Sequence, residues 1–343
     1  MIISCIEKSL FVYFNLHAEE VVSSNYLNDG NEGIYIKSLQ FETVNRLYGF
    51  IKQSSFKEQN NIILDFNNIE HLQPNILKKI IEIRELKFKL TFLNVNEKII
   101  ESLSLKNVEN EKNIINDDNG YDKFYFFSDN ESNLYEIEIR SDKIFYEDFK
   151  NRLKKEGEYI VEYKKPHASS FVYLKSFVDL KKFISNERPF IYYALYRLAI
   201  KIKEKWQPQL ENKPILVGQS LTSTFIVSIL SKLLKLDILI FDKIGPITKL
   251  YNKLEKHNFE NRKYIVVSDL VCLGTEVKIT KSLIEFSGGK YLGNVSLVKV
   301  ETLTRDDLPL DNRDRTISVF SIRESNNEEL KYYIYTNLKP LNE

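Results

Sequence analysis

The sequence predicts an α/β protein in two parts, a carboxyl-terminal domain on a parallel sheet and a smaller amino-terminal β/α domain. Three observations carry this expectation. Between residues 214 and 290, short apolar runs alternate with helix-length amphipathic segments, the βαβ succession of a parallel sheet. A shorter succession of the same kind occupies residues 61–103. Residues 107–120 between them are rich in Asn, Asp, Glu and Lys and read as a connecting segment. With 343 residues and 43% hydrophobic content, each part can bury a core of its own.

In chain order, residues 40–53 form the first helix. Residues 61–66 follow as a buried strand ending at Asp65 and Phe66. Pro74 suits the first turn of the next helix, where a missing N–H costs nothing, and Ile76, Leu77, Ile80 and Ile81 give that helix its apolar face. Residues 87–94 read as a strand with partial alternation, and residues 97–103 as an amphipathic helix. Residues 123–127 and 134–139 flank a polar turn as a hairpin, and residues 145–156 form a helix leading into the second domain. The expected boundaries are therefore 1–106 for the first domain, 107–157 for linker, hairpin and helix, and 158–343 for the second domain.

The second domain supplies the candidate site. A strand ends at Gly218, and a polar loop over residues 219–224 leads to a helix over residues 225–236. Residues 237–243 give another strand and residues 249–257 another helix. Tyr264-Ile-Val-Val-Ser-Asp269 then reads as a buried strand running into an acid. A short loop through Cys272 and Leu273 delivers Gly274 and Thr275 to a helix with Val277, Thr280, Leu283 and Ile284 on one face. An anion fits at that helix start, because first-turn N–H groups lack intrahelical partners and the dipole favours negative charge. Residues 315–322 and 331–335 close the domain as edge or hairpin strands.

The stretch Ser268-Asp-Leu-Val-Cys-Leu-Gly-Thr275 resembles the ribose-phosphate loop of the type I phosphoribosyltransferases, most closely the orotate phosphoribosyltransferase pattern. That pattern is a strand, two adjacent acids, a few variable residues and Gly-Thr. The resemblance implies a Rossmann-like parallel sheet and binding of phosphoribosyl pyrophosphate (PRPP). Asp269 would take the ribose hydroxyls, with Ser268 and Cys272 beside it, and Gly274 and Thr275 would take the 5′-phosphate. Ser268 departs from the pattern, since it stands where the first acid belongs. Gly218, Ser220, Thr222 and Ser223 match the family's pyrophosphate loop, and Lys243 stands where the family carries a basic residue, so Asp269 and Lys243 are the implied catalytic residues. The resemblance implies Mg2+ bridging pyrophosphate and ribose oxygens, with Asp269 its indirect partner. The family's mobile basic loop is reduced here to Lys249 and Lys253. Residues 165–174 resemble the Ser-rich aromatic segment that covers the base, with Lys165 and Tyr173 as base-binding residues; His167 within it has no partner at metal-ligand spacing.

Residues 8–106 resemble the STAS domains, small β/α modules of anti-sigma-factor antagonists and sulfate transporters. Their regulated Asp-Ser pair is replaced here by Gln73-Pro74-Asn75. Pro74 has no hydroxyl, so phosphorylation is not carried over, and a docking surface for a protein partner remains.

Composition bounds the rest. A net charge of +1 argues against a general nucleic-acid or membrane-surface binder. No run of 18 apolar residues predicts a transmembrane helix, and Met1 to Cys5 lacks the features of a signal peptide. Two cysteines, Cys5 and Cys272, give neither a metal site nor a disulfide framework, so a reducing cytoplasm is expected. The excess of Asn, Lys and Ile suggests a bacterial, AT-rich genome. Three functions stay open: transfer of ribose 5-phosphate to a nitrogenous base, a non-catalytic PRPP or nucleotide sensor acting through the STAS-like domain in stress or phage defence, and hydrolysis of a nucleotide N-glycosidic bond. The family resemblance makes a homodimer the expectation.

Overall fold

The computed structural model describes residues 2–8, 11–18, 38–54, 56, 61–67, 69–72, 74–86, 88–107, 124–127, 141–155, 158–162, 176–241, 259–272, 274–301 and 316–323. The chain divides into two compact units, Met1–Asp148 and Phe149–Glu343.

The first unit holds a six-stranded mixed sheet. Its strands are β1 (Ile2–Glu7), β2 (Phe11–Leu16), β3 (Asn61–Asp65), β4 (Lys89–Leu93), β5 (Leu105–Asn107) and β6 (Phe124–Phe127), in the order β1-β2-β3-β4-β6-β5. The central β2, β3 and β4 are mutually parallel, while β1, β6 and β5 pair antiparallel with their neighbours. β3 is buried at every position, which is why it reads as a continuous apolar run: Ile62 and Leu64 face one cluster and Ile63 the other. Helices α1 (Phe41–Gln53) and α2 (Pro74–Arg84) place Val44, Leu47, Ile51, Ile76, Ile80 and Ile83 in the first of these clusters. α2 begins on Pro74 as its fixed φ favours. α3 (Glu97–Leu103) is capped by Asn96, whose side chain accepts from the Lys98 N–H at 2.9 Å. At the carboxyl end of β3 the fully buried Asp65 accepts from the Tyr13 hydroxyl and from Asn94 Nδ2 at 2.8 Å.

Two expectations change here. Residues 124–127 were assigned to the connecting segment, but β6 lies inside the first sheet between β4 and β5, because Phe124 and Phe127 are buried against it. α4 covers Ser141–Leu153 rather than 145–156, and its Ile144 packs against Tyr13 and Ile63. The second hairpin strand, residues 134–139, lies outside the described residues.

The second unit opens with an antiparallel pair, β7 (Ile160–Glu162) and β8 (Ser176–Val178). Helices α5 (Leu180–Asn186) and α6 (Arg188–Leu210) follow, the latter bent at Trp206, two residues before Pro208. Phe149, Phe183, Phe190 and Phe320 pack ring on ring in its core. Glu187 between α5 and α6 is 8% exposed, and it accepts from Lys155 Nζ at 3.0 Å and from the Arg152 guanidinium.

The main sheet comprises β9 (Ile215–Gly218), β10 (Ile238–Ile240), β11 (Lys263–Val271), β12 (Lys290–Glu301) and β13 (Thr316–Arg323), in the order β10-β9-β11-β12-β13. Every pair is parallel, as the alternating sequence predicts. Helix α7 (Leu221–Leu234) packs on β9, β10 and β11 together with α6, and α8 (Thr275–Phe286) packs on β11 and β12. The chain steps from β9 outward to β10 but from β11 the opposite way to β12, so right-handed crossovers put α7 and α8 on opposite faces. β13 pairs in parallel with β12 and is the last strand of this sheet among the described residues. The helix at 249–257 and the strand at 331–335 lie outside the described residues. So do Gln73, Lys165, His167, Tyr173, Lys243, Lys249, Lys253 and Leu273.

Candidate functional site

β9 and β11 are neighbours from which the chain departs in opposite directions. Their carboxyl ends form the switch point of the sheet, where a crevice opens in folds of this kind. Its two sides are unequal. β9 stops pairing at Gly218, opposite Val267, while β11 continues through Ser268, Asp269, Leu270 and Val271 with β12 still paired on its far side. The strand was expected to end at the acid. It runs two residues further because Leu270 and Val271 keep register with Val298 and Lys299.

The β9 side is closed by a helix cap. α7 begins at Leu221, four residues earlier than the expected 225, because Ser220 and Ser223 form a reciprocal capping box. Ser220 Oγ accepts from the Ser223 N–H at 3.1 Å, and Ser223 Oγ accepts from the N–H groups of Gln219 and Ser220, both at 2.8 Å. Ser223 is buried, and Thr224 donates its hydroxyl to the Ser220 carbonyl at 2.8 Å. The expected pyrophosphate hydroxyls of Ser220 and Ser223 are therefore engaged inside the cap. Leu221 and Thr222 are the first two helical residues, whose N–H groups have no intrahelical partner, and the half-exposed Thr222 adds a hydroxyl.

The β11 side is open. Gly274 precedes α8 in the left-handed region at φ 72°, and no side chain caps the helix. A Cβ at Gly274 would meet nothing within 4 Å, so glycine is needed there for its backbone freedom rather than for space. The first intrahelical bond runs from the Lys278 N–H to the Gly274 carbonyl at 2.9 Å. The N–H groups of Thr275, Glu276 and Val277 are thus left to the crevice end of the helix dipole. Asp269 is half-buried in β11, with Oδ1 accepting from the Leu270 N–H at 2.8 Å. Cys272 is half-buried just past the strand.

The structure thus brings Gly218, Ser220, Thr222 and Ser223 to the end of one strand and Ser268, Asp269, Cys272, Gly274 and Thr275 to the end of its neighbour. It separates their roles, however. Ser268 is only 5% exposed, and its hydroxyl has no hydrogen-bond partner among the described residues. Sequence reasoning passed over two residues: Gln219, buried directly after β9, and Leu221, 79% exposed at the start of α7. A long polar side chain directly after a buried strand, followed by an apolar residue in a polar loop, was the available signal.

No family model matches this chain, and no curated protein does. Solved structures do match. An orotate phosphoribosyltransferase from Aeropyrum pernix is 16% identical, with a TM-score of 0.37, over 53% of this chain and 98% of that one. The Mycobacterium tuberculosis orotate phosphoribosyltransferase in complex with inorganic phosphate is 14% identical, with a TM-score of 0.35, over 52% and 96%. A hypoxanthine-guanine-xanthine phosphoribosyltransferase is 18% identical, with a TM-score of 0.29, over 39% and 74%. The chain is thus similar, over 39% to 53% of its length, to solved phosphoribosyltransferases.

Proposed function

We propose that the second unit binds a ribose 5-phosphate group, carried by PRPP or by a nucleotide, at the switch point of its sheet. The uncapped start of α8 behind Gly274 is the observation that carries this reading. Three amides and the helix dipole meet a dianionic phosphate there, and Asp269, six residues before Thr275 on the adjoining strand, accepts hydrogen bonds from ribose hydroxyls.

If the site turns over, the reaction is transfer to a nitrogenous base. A ring nitrogen of the base bonds to the anomeric carbon as the carbon–oxygen bond to pyrophosphate breaks, and the base nitrogen gives up its proton. The charge develops between sugar and leaving group, so the protein's part is to align the reactants and exclude water. Mg2+, when bound through ligand oxygens, would neutralise pyrophosphate charge, with Asp269 as the described carboxylate beside it. Lys243 would serve as the cation toward pyrophosphate.

The capping box on α7 favours a second reading, a binder without turnover. With Ser220 and Ser223 engaged in each other, the β9 side offers a pyrophosphate only the first helical amides and Thr222, and Ser268 supplies no second acid. Such a protein would report occupancy to a partner of the STAS-like unit.

Incubation of the full chain with PRPP, Mg2+ and a panel of bases, read by pyrophosphate release beside direct titration of PRPP, nucleoside monophosphates and inorganic phosphate, decides between them. Release supports transfer, and binding without release supports the sensor. If no phosphate compound binds, and Asp269→Asn and Thr275→Ala change nothing, both readings fail.

A further inference from the structure

Gln219 lies one residue beyond the last β9 pair, Gly218 with Val267, and so stands beside Ser268 at the floor of the crevice. Ile215 and Val217 of β9, with Tyr264 and Val266 of β11, belong to the core under α8, and strand alternation carries that face on to Gln219 and Ser268. Gln219 is 7% exposed. Its backbone N–H is held by Ser223 Oγ at 2.8 Å, which fixes its position, yet neither Oε1 nor Nε2 has a hydrogen-bond partner among the described residues.

A buried carboxamide without partners costs about 1–3 kcal/mol for each unsatisfied group, so a partner of matching chemistry is strongly favoured. The carboxamide is neutral and presents acceptor and donor together. It suits a group that both donates and accepts, such as a sugar hydroxyl, and it suits a phosphate poorly because Oε1 would face anionic oxygens. Its strand neighbour Ser268 also keeps the floor uncharged. In the reading above the phosphate takes the start of α8, which leaves the crevice floor to the sugar joined to it.

We infer that Gln219 contacts the ligand and reads the ribose hydroxyls of the phosphate ester held at the start of α8. This rests on the sugar-phosphate reading above and adds to it a residue that discriminates the sugar from the phosphate. The carboxamide thereby takes on part of the hydroxyl recognition that Asp269 alone would otherwise carry.

The test is calorimetric titration of the full chain, wild type and Gln219→Met, with ribose 5-phosphate, 2-deoxyribose 5-phosphate and inorganic phosphate, beside thermal unfolding. Wild type should bind ribose 5-phosphate at least tenfold more tightly than inorganic phosphate. Gln219→Met should lose about tenfold for ribose 5-phosphate, lose less for the deoxy sugar and bind phosphate unchanged, with an unfolding midpoint equal to or above wild type. Gln219→Asn, which keeps the amide but draws it back, should show the same selective loss and covers the case in which Gln219→Met fails to fold. A lowered midpoint with unchanged sugar selectivity in either variant would show that the amide is paired inside the protein, and the inference falls. If wild type binds phosphate but gains nothing from the sugar, the inference falls alone. If wild type binds none of the three, the sugar-phosphate reading falls with it.

Discussion

Ser220 and Ser223 cap α7 upon each other, the Ser223 N–H reaching Ser220 Oγ at 3.1 Å and the Ser220 N–H reaching Ser223 Oγ at 2.8 Å. Across the same crevice α8 starts from Gly274 with no side-chain cap at all. Of two strand-to-helix connections that look alike in sequence, one is satisfied by its own hydroxyls and the other has no side-chain cap on its first-turn amides.

This difference predicts where Ser223→Ala acts. The variant removes the acceptor of two N–H groups, those of Gln219 and Ser220, at a buried position. The loss should be about 1–3 kcal/mol in denaturant unfolding. Phosphate affinity should stay within about twofold, because the cost is that of a cap. A large loss of phosphate affinity with unchanged stability would return Ser223 to the ligand.

Glu276 occupies the first turn of α8, where a carboxylate complements the dipole but opposes an incoming phosphate. Glu276→Gln should therefore raise phosphate affinity by about two- to fivefold at low ionic strength. The gain should shrink as salt approaches physiological strength, since the Debye length falls to about 8 Å there. Titration at two salt concentrations checks both parts. An affinity that drops on substitution would mean that the carboxylate itself serves the ligand.

Much of this fold was legible because the physics is local. Ile215 to Gly218 and Tyr264 to Val267 are uninterrupted buried runs, and the Gly274-Thr275 pair announces a helix start after a left-handed residue. What was not legible depended on pairing across distance. β6 reads as half of a local hairpin, and its place between β4 and β5 follows from Phe124 and Phe127 finding a sheet formed by residues far away in sequence. Likewise, nothing within Gln219-Ser-Leu-Thr-Ser223 says whether its hydroxyls face a ligand or one another. That is decided by the start of α7 at Leu221, and this capping box gives only a weak signal because Ser223 stands at the position usually held by Glu or Gln.

Glu187 makes stability depend on pH. Burial pushes its carboxyl up, but the hydrogen bond from Lys155 and the charge and hydrogen bond of Arg152 outweigh burial and hold it below its ordinary range. A carboxylate depressed in the folded state contributes stability that is complete above its unfolded pKa, about 4.3. That contribution is lost as pH falls through the lower folded value. Glu187→Gln should be less stable than wild type by about 1–3 kcal/mol at pH 7, and the two should converge as the pH falls below about 4. Unfolding midpoints measured from pH 7 down to 3 check this; parallel curves would detach the stabilisation from the ionised carboxylate.

The last prediction concerns Ser268, the position at which this chain departs from an adjacent pair of acids. The side chain is 5% exposed in β11, in register with the fully buried Ser296, and neither hydroxyl has a partner among the described residues. Ser268→Ala should then be neutral or stabilising, because it removes a buried polar atom that nothing satisfies. Ser268→Asp should do the reverse. An ionised carboxylate at this buried position would lose its hydration, so the variant should either unfold several degrees lower or keep the new carboxyl protonated at neutral pH. Restoring the second acid in sequence therefore does not restore a second charge at the ligand. The serine is better understood as keeping the crevice floor uncharged, beside Ser296, than as a broken catalytic pair. Thermal unfolding of both variants, with pyrophosphate release measured on each, tests this: a Ser268→Asp protein that keeps its midpoint and gains release would show that position 268 faces the ligand after all.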